Sequence, residues 1–328
     1  MKLATRKNGR PDGELLVVSQ NLARAVSGAD IVPTMREAVE NWQQAAPKLR
    51  ARSDALRAGT QVGAFDLDAA DLLAPLPRPA QWLDASAFPN HGRLMAKAFG
   101  LDDVAPADWP LMYQGLSDYT FAPRGPVPFS SEGDGIDFEG EFAVVVEQVP
   151  QGTPAKAALE RVCLVLLAND WSLRRFGPIE MRAGFGFIRA KPATAFAPVA
   201  VTPDELGDRW CDGRVALDLH VHRNAQLVGK PNGREMGFSF GELIAHAAYN
   251  RMLSAGSVVG SGTVSNDGYR EVGSSCIAEQ RSIETIDSGQ PTTEFLKFGE
   301  QVRMEAFLAD GMSVFGAIDQ TVCSTEKM

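Results

Sequence analysis

The apolar positions change period along the chain, and each change marks an element. Leu3-Ala4 and Leu15-Leu16-Val17-Val18 are short apolar runs on either side of Asn8-Gly9-Arg10-Pro11-Asp12-Gly13. Glycines that tolerate positive φ and a φ-locked proline predict a hairpin there. From Pro33 to Gly59 the spacing turns helical. Met35, Ala38, Val39, Trp42, Ala45 and Ala46 recur near helical spacing behind a capping Thr34. Pro47 is expected to kink this helix or to end its first part. Pro75-Leu76-Pro77-Arg78-Pro79 concentrates prolines and is the expected domain boundary. A small N-terminal domain over residues 1–78 and a larger one over 79–328 are expected.

Past the boundary, strand patterns dominate. Phe138 to Val149 and Arg161 to Asn169 read as strands, and Val215, Leu217, Leu219 and Val221 alternate up to His222. Phe240 to Met252 reads as a helix. Gln301 to Phe307 and Ser313 to Asp319 read as late strands around a turn at Asp310-Gly311. Tyr119 to Gly135, rich in glycine and proline, reads as a lid or a fixed Ω-loop. The fold class expected is α+β and strand-rich, with an antiparallel or mixed sheet that folds on itself.

Composition narrows the function classes. A chain of 328 residues suits two domains. With 45% hydrophobic and 22% charged residues, disorder of the bulk is excluded. A net charge of −9 argues against a nucleic-acid binder and against docking on an anionic membrane. The longest strongly apolar run, Val162 to Ala168, is far short of the ~20 residues a membrane helix needs. The opening MKLATRKNGRPDGE has no apolar core, so no secretion signal is expected. Cys163, Cys211, Cys276 and Cys323 are scattered without C-x-x-C, which leaves zinc and a redox dithiol unsupported. A cytoplasmic, reduced protein is the expectation.

Candidate chemistry starts at Asp137-Phe138-Glu139-Gly140-Glu141-Phe142. On a strand Glu139 and Glu141 share one face, about 7 Å apart. Beside a core strand such a pair calls for a proton or a cation. A solvated strand end would account for the same residues. The apolar run after Arg161 stops at Asn169-Asp170-Trp171-Ser172, which reads as an open site or as an Asx turn. Further candidates are Asp118 in Ser117-Asp118-Tyr119-Thr120-Phe121, Lys191 in Ala190-Lys191-Pro192, Gly262 and Thr263 in Gly260-Ser261-Gly262-Thr263-Val264-Ser265, and Glu279. The glycine-rich segment has neither a P-loop G-K-[ST] nor G-x-G-x-x-G, so nucleotide binding is unsupported.

The order S-D-Y-T-F, D-F-E-G-E-F, N-D-W-S-L-R, A-K-P and G-S-G-T-V-S resembles the fumarylacetoacetate hydrolase family over most of the chain after about residue 80. The opening segment is similar to the smaller domain of its two-domain bacterial members. The resemblance implies that the larger domain is a mixed β-sandwich or roll. It also implies one divalent cation, Mg²⁺ or Ca²⁺ with Mn²⁺ also suited, on Asp118, Glu139, Glu141 and Asp170. An oxygen-only ligand set agrees with those ions. Lys191 would hold a substrate oxygen or a developing enolate. Thr263 with Gly262 would contact a substrate carboxylate, and Glu279 would pair with a catalytic histidine. Arg174 and Arg124 are further candidates for a substrate carboxylate. A homodimer acting on a small diketo or dicarboxylic acid is implied.

The chain also departs from the family. Animal members carry a histidine a few residues past the ligand aspartate, whereas Tyr119 to Pro126 contains none. Ile136 stands where the decarboxylase and hydratase-like members have theirs. His220, His222 and His246 fall on elements where packing explains them. His91, at the start of a predicted helix, can swing over the metal as the base. The activity implied is metal-dependent hydrolysis of a carbon–carbon bond in a 1,3-diketo acid. Fumarylacetoacetate from tyrosine or other aromatic catabolism is the leading substrate. Another acylpyruvate hydrolase, a 2-oxo acid decarboxylase or a 2-oxo-enoate hydratase is the alternative. A metal-binding protein without catalysis is the rival of a different class.

Overall fold

A computed structural model describes residues 1–98 and 108–327. Lys2–Arg6 and Glu14–Val18 form the hairpin, antiparallel with Leu3 opposite Val17. Both of its faces are buried. Leu3, Leu15 and Val17 face one core, and Ala4, Leu16 and Val18 face the other. The expected long helix is two helices, Met35–Glu40 and Trp42–Arg57, and Thr34 caps the first through the Glu37 N–H. The break falls at Asn41 and not at Pro47, which lies inside the second helix. Asn41 turns both its backbone N–H and its side-chain amide onto the Glu37 carbonyl, which ends the first helix.

Two main sheets build most of the rest, beside two small two-stranded ones among the described residues. In the large sheet the order runs Phe65–Asp66, Arg24–Ser27, Glu14–Val18, Lys2–Arg6, Val199–Val201, Val162–Asn169, Gly140–Val146, Ser257–Gly260, Gln81–Ala85 and Met112–Gly115, with Ala195–Phe196 also on Val162–Asn169. The N-terminal strands therefore continue the sheet of the larger domain, through Lys2–Arg6 against Val199–Val201. The second sheet runs Gln226–Gly229, Leu219–Arg223, Gln301–Ala306, Ile318–Ser324 and Arg124–Phe129. Phe142, Val144 and Val146 pack toward it with Leu219, Val221 and Met304. Ala143 and Val145 face the other way, toward Met35, Val39 and Leu49 of the N-terminal helices. This two-sided burial is why the central strands read as continuous apolar runs.

Three sequence expectations change. Ser313 to Asp319 is not a strand; the last strand is Ile318–Ser324, and Phe307 only bridges Ser313. The helix from Phe240 stops at Ala247, behind a Ser239/Glu242 capping box. Tyr119 to Gly135 is neither lid nor Ω-loop as a whole, because Arg124–Phe129 pairs in parallel with Ile318–Ser324. No helix among the described residues is long and apolar enough to cross a membrane.

Candidate active centre

Neighbouring strands of the large sheet bring three carboxylates together. Glu141 lies on Gly140–Val146, Asp84 on Gln81–Ala85, and Asp170 directly follows Val162–Asn169. One oxygen from each lies within 4.8 Å of the others, and all three residues are buried. Ser257–Gly260 runs between the strands of Glu141 and Asp84. Gly260, opposite Asp84, is what lets them meet. A Cβ there would run into Asp84 Oδ1 and the Trp82 ring, and would lie 3.1 Å from Glu141 Oε2. Gly262 donates its N–H to Asp84 Oδ1 at 3.1 Å. The backbone donors of the glycine-rich segment thus serve an anion of the protein itself.

The electrostatics of this group are unbalanced. Both Glu141 carboxylate oxygens are buried without a hydrogen-bond donor among the described residues. Burial, then the Asp84 and Asp170 charges, push the Glu141 carboxyl well above its usual range. Burial and the Asp170 charge push Asp84 up as well. Asp170 is better supplied: Tyr113 Oη at 2.5 Å, Lys191 Nζ at 2.6 Å and Thr194 Oγ1 at 2.6 Å all donate to it. Buried anions with too few donors are costly unless a cation joins them. Three carboxylates without thiolate or imidazole fit a hard divalent ion.

Glu139 sits one residue ahead of its strand and has a different environment. Lys191 Nζ and Arg174 Nη2 both pair with it, the latter at 2.7 Å. Burial alone would raise its carboxyl, but the Lys191 and Arg174 charges overcome that and hold it down to about 2. Arg174 also pairs with Asp137 at 2.7 Å, so both its partners are protein carboxylates. Asn169 answers the question its motif left open. Its Oδ1 accepts the Glu139 N–H at 3.1 Å, and Asp170 donates its N–H to the Glu139 carbonyl at 2.9 Å. The Asn-Asp pair therefore locks the E-x-E segment to the neighbouring strand.

On the helix Pro89–Ala98, His91 Nδ1 lies 2.9 Å from Glu279 Oε2. Glu279 is fully buried on the helix Ile277–Ser288, and Ser274 Oγ donates to its other oxygen at 2.9 Å. The histidine that meets Glu279 thus comes from the helix that follows the Asp84 strand. Asp118 is the main correction. It is exposed beyond the edge strand Met112–Gly115, and the group that gathers Glu141 and Asp170 contains Asp84 in its stead. Asp84 and Tyr113 are register partners, so the edge strand contributes the Tyr113 hydroxyl and not Asp118. The signal for Asp84 was one charged residue inside the apolar Trp82-Leu83-Asp84-Ala85. Arg124 opens its strand with its side chain exposed, pairing in register with Asp319, and is not brought to the centre. Thr263 is buried next to Gly262.

The family profile described as Fumarylacetoacetate (FAA) hydrolase C-terminal matches residues 81–323, and Fumarylacetoacetase N-terminal domain 2 matches residues 1–78. The chain belongs to the fumarylacetoacetate hydrolase family. It is similar to the Fumarylacetoacetase of Caenorhabditis elegans, 26% identical over 213 residues, 56% of this chain and 51% of that one. It is also similar to the 2,4-didehydro-3-deoxy-L-rhamnonate hydrolase of Sphingomonas sp. (strain SKA58), 27% identical over 157 residues, 47% of this chain and 52% of that one. The chain spans about half the length of these curated relatives. The structure of maleylpyruvate hydrolase from Sphingobium sp. SYK-6, in complex with manganese(II) ion and pyruvate, superposes with a TM-score of 0.65 at 16% identity, covering 99% of both chains. That likeness establishes the shared fold: a strand-rich α/β structure with a small N-terminal and a larger family-type domain.

Proposed function

We propose that this protein hydrolyses a carbon–carbon bond in a 1,3-diketo acid with a divalent cation, fumarylacetoacetate to fumarate and acetoacetate being the leading reaction. The observation that carries the reading is the buried Asp84–Glu141–Asp170 group beside Lys191, its Glu141 carboxylate without a donor among the described residues. Asp84, Glu141 and Asp170 would hold the ion, with Glu139 next to them. When bound, Mg²⁺, Ca²⁺ or Mn²⁺ would supply Lewis-acid polarisation of a carbonyl oxygen. Lys191 presents a fixed ammonium to the oxygen on which negative charge develops. Glu279 orients His91: with Nδ1–H donated to Glu279, Nε2 keeps its lone pair and takes a proton from water. Arg174 holds Glu139 in place. On this reading the protein is a cytoplasmic homodimer with domains 1–78 and 79–328, serving aromatic catabolism such as tyrosine degradation.

The test is the loss of diketone absorbance from fumarylacetoacetate, with each of the three ions, with chelator, and with Asp170→Ala. Turnover that disappears with chelator and in the variant is expected. The pyruvate in the maleylpyruvate hydrolase complex favours a second reading inside the family: another acylpyruvate as substrate, or a decarboxylase or hydratase acting on a 2-oxo acid. Product analysis with simple acylpyruvates separates these. Tight metal binding with no turnover of any such substrate would leave a non-catalytic metal-binding protein.

A further inference from the structure

Between Asp170 and Lys191 lies a carboxylate that the reaction above does not use. Glu180, in the short helix Gly177–Ala183, folds onto three successive N–H groups. Its Oε2 accepts from Ile188 at 3.1 Å and from Ala190 at 3.0 Å, and its Oε1 accepts from Arg189 at 3.0 Å. Gly184 (φ +73°) and Gly186 (φ +98°) make the left-handed turn that returns the chain to it. Consecutive N–H groups aimed at one point form an anion nest. Burial acts to raise the Glu180 carboxyl, but these donors outweigh it and keep it below its usual range. Ala190 is also held from its other side, its carbonyl accepting the Leu173 N–H at 2.8 Å. Lys191 comes next, and its Nζ reaches Glu139 and Asp170. Ile179, Met181, Phe185 and Ile188 are 66%, 70%, 100% and 85% exposed, while Phe187 packs edge-on against Tyr113 at 5.2 Å and Arg189 lies over the Phe176 ring. Beside that ring packing, the Glu180 clamp is what ties the backbone of residues 188–190.

We infer that Glu180 is a positioning residue for Lys191, fixing through residues 188–190 the backbone from which the lysine reaches the acidic centre. The inference rests on the reading above only in giving Lys191 a substrate oxygen to face.

The test uses the full chain with Glu180→Ala, Glu180→Gln, Lys191→Ala and the Glu180→Ala/Lys191→Ala double variant. The first readout needs no metal or substrate. Modification of Lys191 by an amine-reactive anhydride, mapped by mass spectrometry, should rise severalfold in Glu180→Ala, with faster amide exchange at residues 188–190. The second readout is calorimetry with Mn²⁺ and then oxalate, a stable stand-in for a 2-oxo acid enolate. Glu180→Ala should weaken oxalate roughly tenfold while Mn²⁺ affinity moves less than about threefold. In the Lys191→Ala background the same substitution should change nothing, and Glu180→Gln, which keeps one acceptor oxygen, should recover part of the loss. Unchanged Lys191 labelling in Glu180→Ala overturns the inference, as does an oxalate loss of equal size with and without Lys191. Should the wild-type chain bind neither Mn²⁺ nor oxalate, the functional reading falls, and the labelling result still decides the role of Glu180.

Discussion

Glu141 is the residue on which the site turns. Its carboxylate is buried, lacks a donor on either oxygen among the described residues, and faces two more carboxylates. In chelator, Glu141→Gln removes a carboxyl that the fold must hold protonated, so it should stabilise the protein in denaturant titrations at neutral pH, where the unfolded chain would ionise it, and not near pH 4. The same variant should lose the rise in Tm that a bound ion gives the wild-type chain. His91 is a separate matter, because its partners are Glu279 and not the acidic cluster. His91→Ala should lower the rate roughly 10²–10⁴-fold while Mn²⁺ affinity by calorimetry stays unchanged. Loss of ion binding in that variant would contradict the division between base and ion site.

Among the elements, the strand Ser257–Gly260 sets the spacing of the centre. It separates Asp84 from Glu141, and only a residue without a side chain at Gly260 leaves their oxygens room to meet. Gly260→Ala should push Asp84 aside and weaken Mn²⁺ binding by tenfold or more, roughly the loss of one ligand contact. The checks are calorimetry, and circular dichroism to show that the fold persists. Gly262 is more constrained. It has φ +77° and a side chain there would collide with the Ala85 carbonyl, so Gly262→Ala should destabilise the whole domain and not the ion site alone.

At the scale of the molecule, the N-terminal segment is part of the main sheet. Lys2–Arg6 covers the edge that Val199–Val201 would otherwise present, and Leu49, Val39 and Met35 share one buried core with Val145 and Ala143. A chain starting at residue 79 would expose that edge and that apolar face, and should aggregate or elute as large species in size-exclusion chromatography. A monodisperse, folded 79–328 fragment would show the two domains to be independent.

Local chemistry was legible in the residues themselves. The Asn8–Gly13 turn forms the hairpin, Thr34 caps its helix, and the E-x-E and Asn-Asp segments, with Lys191, converge on one site. These follow from backbone preferences and from the cost of charge beside apolar strands, which act within a few residues. The family was legible because the order of its motifs is carried by the chain itself. The third carboxylate was not, and His91 and Glu279, both candidates from their own segments, meet only in the folded chain. Asp84 reaches Glu141 across a strand more than 170 positions later in the chain, and His91 meets Glu279 over 188 positions. Such pairings depend on which strand lies beside which and on the missing side chain at Gly260. Sheet order and register are settled by packing across both faces of the molecule, so only the tertiary structure decided that Asp84, and not Asp118, completes the acidic group.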